Sequence, residues 1–213
     1  SAFLLNRSSD LGYWTYDFVL PGLLLHAFET ADAQRLAKHL ARSPERQFTT
    51  LDCHDGIPVR PDLEGVLSHE EMSALADGIV AMGGNINRIL GDTGDGVDVH
   101  QLNCTYYSAL GADDHRYLAA RAIQLFARGV PQVYYVGLLA GSNDIELVER
   151  TKNWRDINRH GYDLDEIEQE MQRPVVQRLL RLMTFRSYYP AFNGEFKIEA
   201  TPENQVGLRW RKG

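Results

Sequence analysis

Apolar and polar positions along the chain follow two rhythms. Tyr13 to Leu20 (YWTYDFVL) is dense in aromatic and β-favouring residues and predicts a strand. Leu23 to Leu40 then spaces its apolar residues for one helix. Phe48 to Leu51 predicts a second short strand, ending at Asp52-Cys53-His54-Asp55-Gly56. Ser68-His69-Glu70-Glu71 has the S-x-x-E form of a capping box and starts a helix to about Met82, closed by Gly83-Gly84. Tyr117 to Phe126 predicts a further helix, Val130 to Val136 a third, buried strand, and Pro174 to Phe185 an amphipathic helix with proline in its first turn. Strands followed by helices in this order imply parallel pairing through right-handed crossovers, an α/β layer arrangement. After Pro190 the texture changes. Gly194–Ala200 and Val206–Trp210 alternate like two antiparallel strands about a Pro-Glu-Asn turn. Two strands alone are marginal in water, and three βα units cannot close a barrel, which needs eight. The pattern therefore points to part of something larger.

Composition narrows the class. The chain has 213 residues, 44% hydrophobic and 24% charged, which is ordinary globular material. Lys+Arg number 22 against 29 Asp+Glu, a net charge of −7 with no basic block, which argues against a nucleic-acid or anionic-membrane surface. The longest apolar run, Val19 to Leu25, is interrupted by Pro21 and Gly22 and is too short to span a bilayer. No signal-peptide pattern opens the chain, although a first residue of Ser1 rather than Met gives that little weight. Cys53 and Cys104 have no metal-ligand spacing and read as two reduced structural thiols of a cytoplasmic protein.

Function in βα folds sits at strand ends and the loops after them. Asp17-Phe18, at the first strand end, reads as a structural or capping carboxylate. His54-Asp55-Gly56, at the second, sets an imidazole beside a carboxylate, with a glycine that permits close approach of a ligand. Such a carboxylate can hold sugar hydroxyls and favour an oxocarbenium-like transition state, or simply cap a turn. Gly84 to Thr105 reads as a long polar loop, a binding loop or lid if not merely solvated, and it carries Asp98, His100 and Gln101. Its Gly91–Gly96 stretch lacks the residue order of a calcium loop, so no metal is expected. Arg155 is placed to clamp hydroxyls or a carboxylate, with Asp156 and Arg159 as a structural ion pair. Trp14, Trp154 and Trp210 read as packing residues rather than sugar platforms. GxSxG, Walker, HExxH and GxGxxG motifs are absent from the sequence.

LDCHDGIPV (Leu51–Val59) resembles the late motif of the α-amylase superfamily, glycoside hydrolase family 13. QLNCTYYSALGADD (Gln101–Asp114), YLAARAIQLFARGVPQVYYVGLLAGSND (Tyr117–Asp144) and RTKNWRDINRH (Arg150–His160) resemble its sucrose phosphorylase subfamily, and the match covers nearly the whole chain. The resemblance implies a partial (β/α)8 barrel: residues 1–190 would supply about the last three βα units, and 191–213 the start of a truncated C-terminal β domain. It implies a retaining, double-displacement phosphorolysis with no cofactor, acting on a sugar substrate and inorganic phosphate and giving α-glucose 1-phosphate. Asp55 would stabilise the transition state, His54 would contact the glucosyl group, and Arg155 would bind the hydroxyls at its far end. The family's Asp nucleophile and Glu acid/base lie upstream of the Tyr-Asp-Phe strand, so the chain alone is expected to be inactive.

Two departures bear on the site. Sucrose-specific members read Asp-x-Tyr-Gln in the acceptor loop, where this chain has Asp98-Val99-His100-Gln101. A histidine there can be cationic near neutral pH, which suits a phosphorylated acceptor and is similar to the members acting on sucrose 6-phosphate. Cys53 stands where threonine is commoner, and Trp154 where a small residue is usual. The alternatives are a phosphorylase of the glucosylglycerol or glucosylglycerate type, a transglucosidase on the same barrel, or a non-catalytic sugar-binding module. A severed barrel would also leave strand edges and apolar faces open, so the chain alone is expected to be poorly soluble.

Overall fold

The computed structural model describes residues 12–59, 66–90 and 97–213, with the backbone alone for 87–90 and 97–100. The first strand is short: β1 covers Thr15–Asp17, and the chain turns into helix α1, Leu20–Thr30. Asp17 makes that turn, its Oδ1 accepting from the N–H groups of Val19 and Leu20 at 3.2 and 3.0 Å. Its carboxylate also meets His39 Nε2 at 2.9 Å, so the capping reading of this strand end is the observed one.

The single helix expected over Leu23–Leu40 is two. Ala31 adopts a left-handed φ of 55°, which ends α1, and α2 runs from Gln34 to Ala41. Strand β2 is Gln47–Thr49, and two-residue β3 is Ile57–Pro58. Helix α3, His69–Ala81, has the predicted capping box: Ser68 Oγ accepts from the Glu71 N–H while Glu71 accepts from the Ser68 N–H. A hydrogen bond from Arg35, backed by the Ser68 amide, holds the Glu71 carboxyl down at about 2.

The stretch from Gly84 is not a loop. β4 (Asn85–Leu90) and β5 (Val97–Asn103) form an antiparallel pair with an irregularity at Asn87/Arg88. Alternation in Asn-Ile-Asn-Arg-Ile-Leu and Val-Asp-Val-His-Gln-Leu suits such a ladder, and Ile86 faces Leu102 across it. The Gly91–Gly96 stretch read for calcium lies outside the described residues. Then follow α4 (Tyr106–Ala109) and α5 (Asp114–Phe126), the latter begun by the Asp113 side chain.

The third strand is shorter than expected and not buried. β6 is Val130–Pro131, Val130 is exposed, and Tyr135–Leu138 is already helical (α6). Pro131 has no N–H to extend the ladder, and only Gln132 adds one more bond, to Thr49 O at 2.9 Å. The chain continues through α7 (Ile145–Thr151), a 3-10 turn (Trp154–Asn158), α8 (Leu164–Glu170) and α9 (Pro174–Tyr188). It ends in β7 (Glu195–Glu199) and β8 (Gly207–Arg211), antiparallel as read. Trp210 is packing material, its Nε1 donating to Phe126 O at 2.7 Å. Trp14 and Trp154, by contrast, are exposed.

The architecture is mixed α/β. β1, β2 and β6 form a parallel sheet in that order, and β3, β5 and β4 a second sheet. Leu20, Leu23 and Leu24 of α1, Leu36 and Leu40 of α2, Ile79, Leu102, Tyr106, Leu125 and Leu179 belong to one continuous core. Each such leucine contributes about 2 kcal/mol by burial. Tyr13, Trp14 and Tyr16, in and beside edge strand β1, are exposed. Among the described residues no helix is long and apolar enough to cross a membrane, and no group of three His, Cys, Asp or Glu is placed to hold a metal. Both cysteines are free thiols, and burial pushes Cys104 up to about 12.

Candidate active site

The parallel strand β2 delivers the chain to a tight turn. Cys53 N–H donates to Gly56 O at 2.8 Å, and Gly56 N–H returns the bond to Cys53 O at 2.9 Å. Every carbonyl from Asp52 to Asp55 then takes a side-chain donor. Thr50 Oγ1 serves Asp52 O at 2.9 Å, Asn158 Nδ2 serves Cys53 O at 2.6 Å, Arg159 Nε serves His54 O at 2.8 Å, and Asn103 Nδ2 serves Asp55 O at 2.9 Å. A turn so fully bonded has little freedom to re-aim its side chains.

What it aims is Asp55, whose side chain is 27% exposed. Arg159 Nη2 lies 3.1 Å and Arg155 Nε 3.6 Å from Oδ1, while His54 Nε2 lies 3.4 Å from Oδ2. Asp55, His54 and Arg155, chosen from the sequence, are thus brought together. Arg159 is the addition. It keeps the expected pairing with Asp156, at 3.2 Å, yet its guanidinium fork also reaches Asp55 and the His54 carbonyl. Asn103 and Asn158 belong to no motif that would mark them in the sequence, and only their hydrogen bonds to the turn carbonyls show their place in the site.

Gln101 lies in β5, opposite Pro58 and just beyond the turn, with its side chain buried. Asp98 and His100 lie in the same strand, and their side chains are outside the described residues. Gly56 permits a close approach, but by protein rather than ligand: at φ +112°, a Cβ there would stand 2.3 Å from Leu102 O.

Arg155 lies in the 3-10 turn Trp154–Asn158 and Arg159 directly follows it, and the turn is tied down on both sides. Tyr134 OH donates to Asn158 O at 3.1 Å, and Asp144 N–H to Ile157 O at 2.9 Å. Asp144 also meets His160 Nδ1 at 2.6 Å. That hydrogen bond raises the His160 pKa from its ordinary 6.5. Burial works against the Asp144 carboxylate, but bonds from His160 and the Leu147 N–H outweigh it and lower its pKa from 3.8. The signs fix the window. The raised histidine stabilises fully below about 6.5 and loses this as pH rises through its folded value. The lowered aspartate stabilises above about 3.8 and loses this as pH falls through its folded value. The difference in melting temperature between the native protein and His160→Gln is therefore expected to narrow from pH 6 to pH 9. A constant difference would mean that the charged pair contributes nothing.

Chemically, this is a pre-aimed carboxylate flanked by three groups that can be cationic, at the end of a parallel strand. It can accept sugar hydroxyls in charge-assisted hydrogen bonds and oppose positive charge developing at a nearby carbon. Comparison with known proteins shows what the chain is similar to: it is homologous to sucrose 6(F)-phosphate phosphorylase and sucrose phosphorylase. In particular it is 52% identical, over 97% of its length, to the sucrose 6(F)-phosphate phosphorylase of Thermoanaerobacterium thermosaccharolyticum. It is 48% identical, over 95% of its length, to the sucrose phosphorylase of Streptococcus mutans. The crystal structure of sucrose 6F-phosphate phosphorylase from Thermoanaerobacter thermosaccharolyticum superposes with a TM-score of 0.93 at 51% identity, covering 97% of this chain and 43% of that one. The chain spans 43% and 42% of the length of the two curated relatives. No family profile matches it.

Proposed function

We propose that this chain carries the Asp55 side of the active site of a retaining glycoside phosphorylase that moves a glucosyl group from sucrose 6-phosphate, or sucrose, to inorganic phosphate. In this reading residues 1–190 are the C-terminal part of a (β/α)8 barrel, with β1, β2 and β6 an arc of its wall, and 191–213 open a C-terminal β domain. Three parallel strands in sequential order, with the polar turn at the end of the middle one, support it.

The chemistry breaks the bond between glucosyl C1 and the glycosidic oxygen. That oxygen leaves with a proton, and a phosphate oxygen ends on C1 with the α configuration retained. Retention uses two carboxyl groups about 5–5.5 Å apart, a nucleophile and an acid/base. No residue of this chain takes either role, so the 213-residue chain alone has no phosphorolytic activity in this reading. Asp55 binds glucosyl hydroxyls and opposes the charge of the oxocarbenium-like transition state. His54 and Arg155 orient the ring, and Asp98, His100 and Gln101 are assigned to acceptor binding. Sugar and phosphate are its small-molecule partners, no cofactor takes part, and the setting is cytoplasmic.

The observation that carries the reading is the Asp55 carboxylate, held between Arg155, Arg159 and His54 on a turn whose carbonyls are all bonded. His100, with the 52% identical relative that acts on sucrose 6(F)-phosphate, supports a phosphorylated acceptor. The test is release of α-glucose 1-phosphate by the full-length protein from phosphate and each donor. Sucrose 6-phosphate is expected to react faster than sucrose, and His100→Tyr to reduce that preference by about tenfold or more, the size of one lost charge-assisted contact. Glucose 1-phosphate from neither donor overturns the function, and an unchanged preference in His100→Tyr overturns the acceptor assignment.

A further inference from the structure

Among the described residues the largest fully buried side chain is a cation. Arg121 in α5 is 0% exposed, and so is its partner Asp52 at the side-chain level. Around α5, Tyr117, Ala120, Arg121 and Gln124 form one buried face at the spacing of successive turns. Three of those four are polar, so the face turned inward is not an apolar stripe.

Its bonds run to two strand ends. Arg121 Nη2 donates to Asp52 Oδ1 at 2.8 Å, Nε to Tyr117 OH at 2.9 Å, and Nη1 to Gln124 Oε1 at 2.9 Å. Tyr117 OH in turn donates to Gly137 O, in α6 after β6. Gln124 Nε2 donates to Thr49 O of β2 at 2.9 Å and to Gln132 O just beyond β6 at 2.8 Å. The guanidinium therefore lies between the ends of two neighbouring parallel strands and is bonded, directly or through one side chain, to both. The space is filled closely: a Cβ on Gly137 would stand 2.1 Å from Arg121 Nη2 and 2.7 Å from Asp52 Oδ2.

Stability alone is a weak reason for such a pair. Two ions taken out of water recover their desolvation only with complete hydrogen bonding, and a well-packed apolar replacement is often as stable. Here the bonding is incomplete, since buried Asp52 Oδ2 has no donor among the described residues. What the pair supplies is direction. Asp52 lies between the end of β2 at Thr49 and the Cys53–Gly56 turn, directly before the turn and three positions before Asp55.

We infer that Arg121 is a positioning residue for the glycosyl transfer: through Asp52 it fixes where the turn begins, and so sets Asp55 against Arg155 and Arg159. It touches no substrate, being enclosed beneath the turn. The inference rests on the reading of Asp55 as transition-state stabiliser.

The test uses the full-length enzyme, with kcat, KM for donor and phosphate, and melting temperature measured for each variant. Arg121→Lys keeps the charge and loses the fork, while Asp52→Asn with Arg121→Gln removes both charges together and keeps hydrogen-bonding groups in place. A displacement near 1 Å at a reacting centre lowers rates by about 10²-fold. The double variant is therefore expected to lose about 100-fold in kcat and Arg121→Lys about 10-fold, with KM within about threefold. Leu179→Ala, in the core on α9, gives the comparison: it lowers the melting temperature and leaves kcat unchanged. Wild-type kcat in Arg121→Lys, or a loss of kcat that Leu179→Ala shares at equal melting temperature, overturns the inference. If the double variant does not fold, Arg121→Lys decides alone. Asp55→Asn is run beside them. If it retains turnover, the underlying reading of Asp55 has failed. If it is inactive while Arg121→Lys is normal, only the inference has.

Discussion

Asp55→Asn in the full-length protein is expected to lower kcat for glucose 1-phosphate formation by about 10³-fold, the upper range for removing one electrostatic stabiliser of a transition state. The asparagine has nearly the same shape, and its amide oxygen can still accept from Arg159, so the turn keeps its bonds. What disappears is the negative charge. In the native site that charge is held 3.1 Å from Arg159, 3.6 Å from Arg155 and 3.4 Å from His54. Without it, Arg155 loses its carboxylate partner and Arg159 keeps only Asp156, so a glucosyl centre acquiring positive character loses the attraction that opposed its charge. The loss falls on kcat more than on KM, because the interaction strengthens as charge develops. The melting temperature stays close to the native value, because Cys53, His54 and the other carbonyls keep their donors. An Asn variant retaining more than a tenth of native kcat would remove Asp55 from the chemistry. Loss of kcat together with a large fall in melting temperature would make it a structural carboxylate.

The turn was legible in the sequence because its chemistry is packed into five consecutive residues after an apolar strand. Arg155 was legible through the block that surrounds it. Arg159 was read as the partner of Asp156, and it is, but spacing cannot show that one guanidinium serves a local carboxylate and a distant one together. Arg121 left no signal. An arginine on a helix ordinarily faces water, and its partner Asp52 lies 69 residues away in sequence. The β4–β5 hairpin was hidden by the glycine- and aspartate-rich run between its strands, which outweighed a short alternation on either side. The third strand was overextended for the opposite reason. Val133, Tyr134, Tyr135 and Val136 all favour strands, yet the ladder stops at Pro131 and the chain turns helical at Tyr135. Local preference was read correctly at these positions, and tertiary bonding decided against it. The residues that aim Asp55 are mostly of this second kind, polar groups whose meaning lies in partners far along the chain.

Gly56→Ala is expected to destabilise the protein by at least about 2 kcal/mol, and to lower kcat in the molecules that remain folded. Two separate effects add. The residue sits at φ +112°, where a side chain strains the backbone, and its Cβ would approach Leu102 O to 2.3 Å and Asn103 Cα to 3.1 Å. Leu102 cannot retreat. It is 1% exposed and belongs to the central strand of its sheet, opposite Ile57 on one side and Ile86 on the other. The movement must therefore come from the turn, and the turn carries Asp55. Asn103 adds a second route, because the residue that the new methyl presses against is also the donor to Asp55 O. Gly161→Ala makes the comparison fair: no atom lies within 4 Å of a Cβ there and φ is not in the left-handed range, so it is expected to fall within about 0.5 kcal/mol of native. Thermal unfolding and kcat of the two variants, measured side by side, separate the cases. If Gly56→Ala behaves like Gly161→Ala in both, the backbone of β5 is not what holds the turn in place. If it loses kcat in proportion to stability, the close approach of Gly56 to Leu102 is one of the constraints that aim the carboxylate, and this glycine serves the site without ever meeting the sugar.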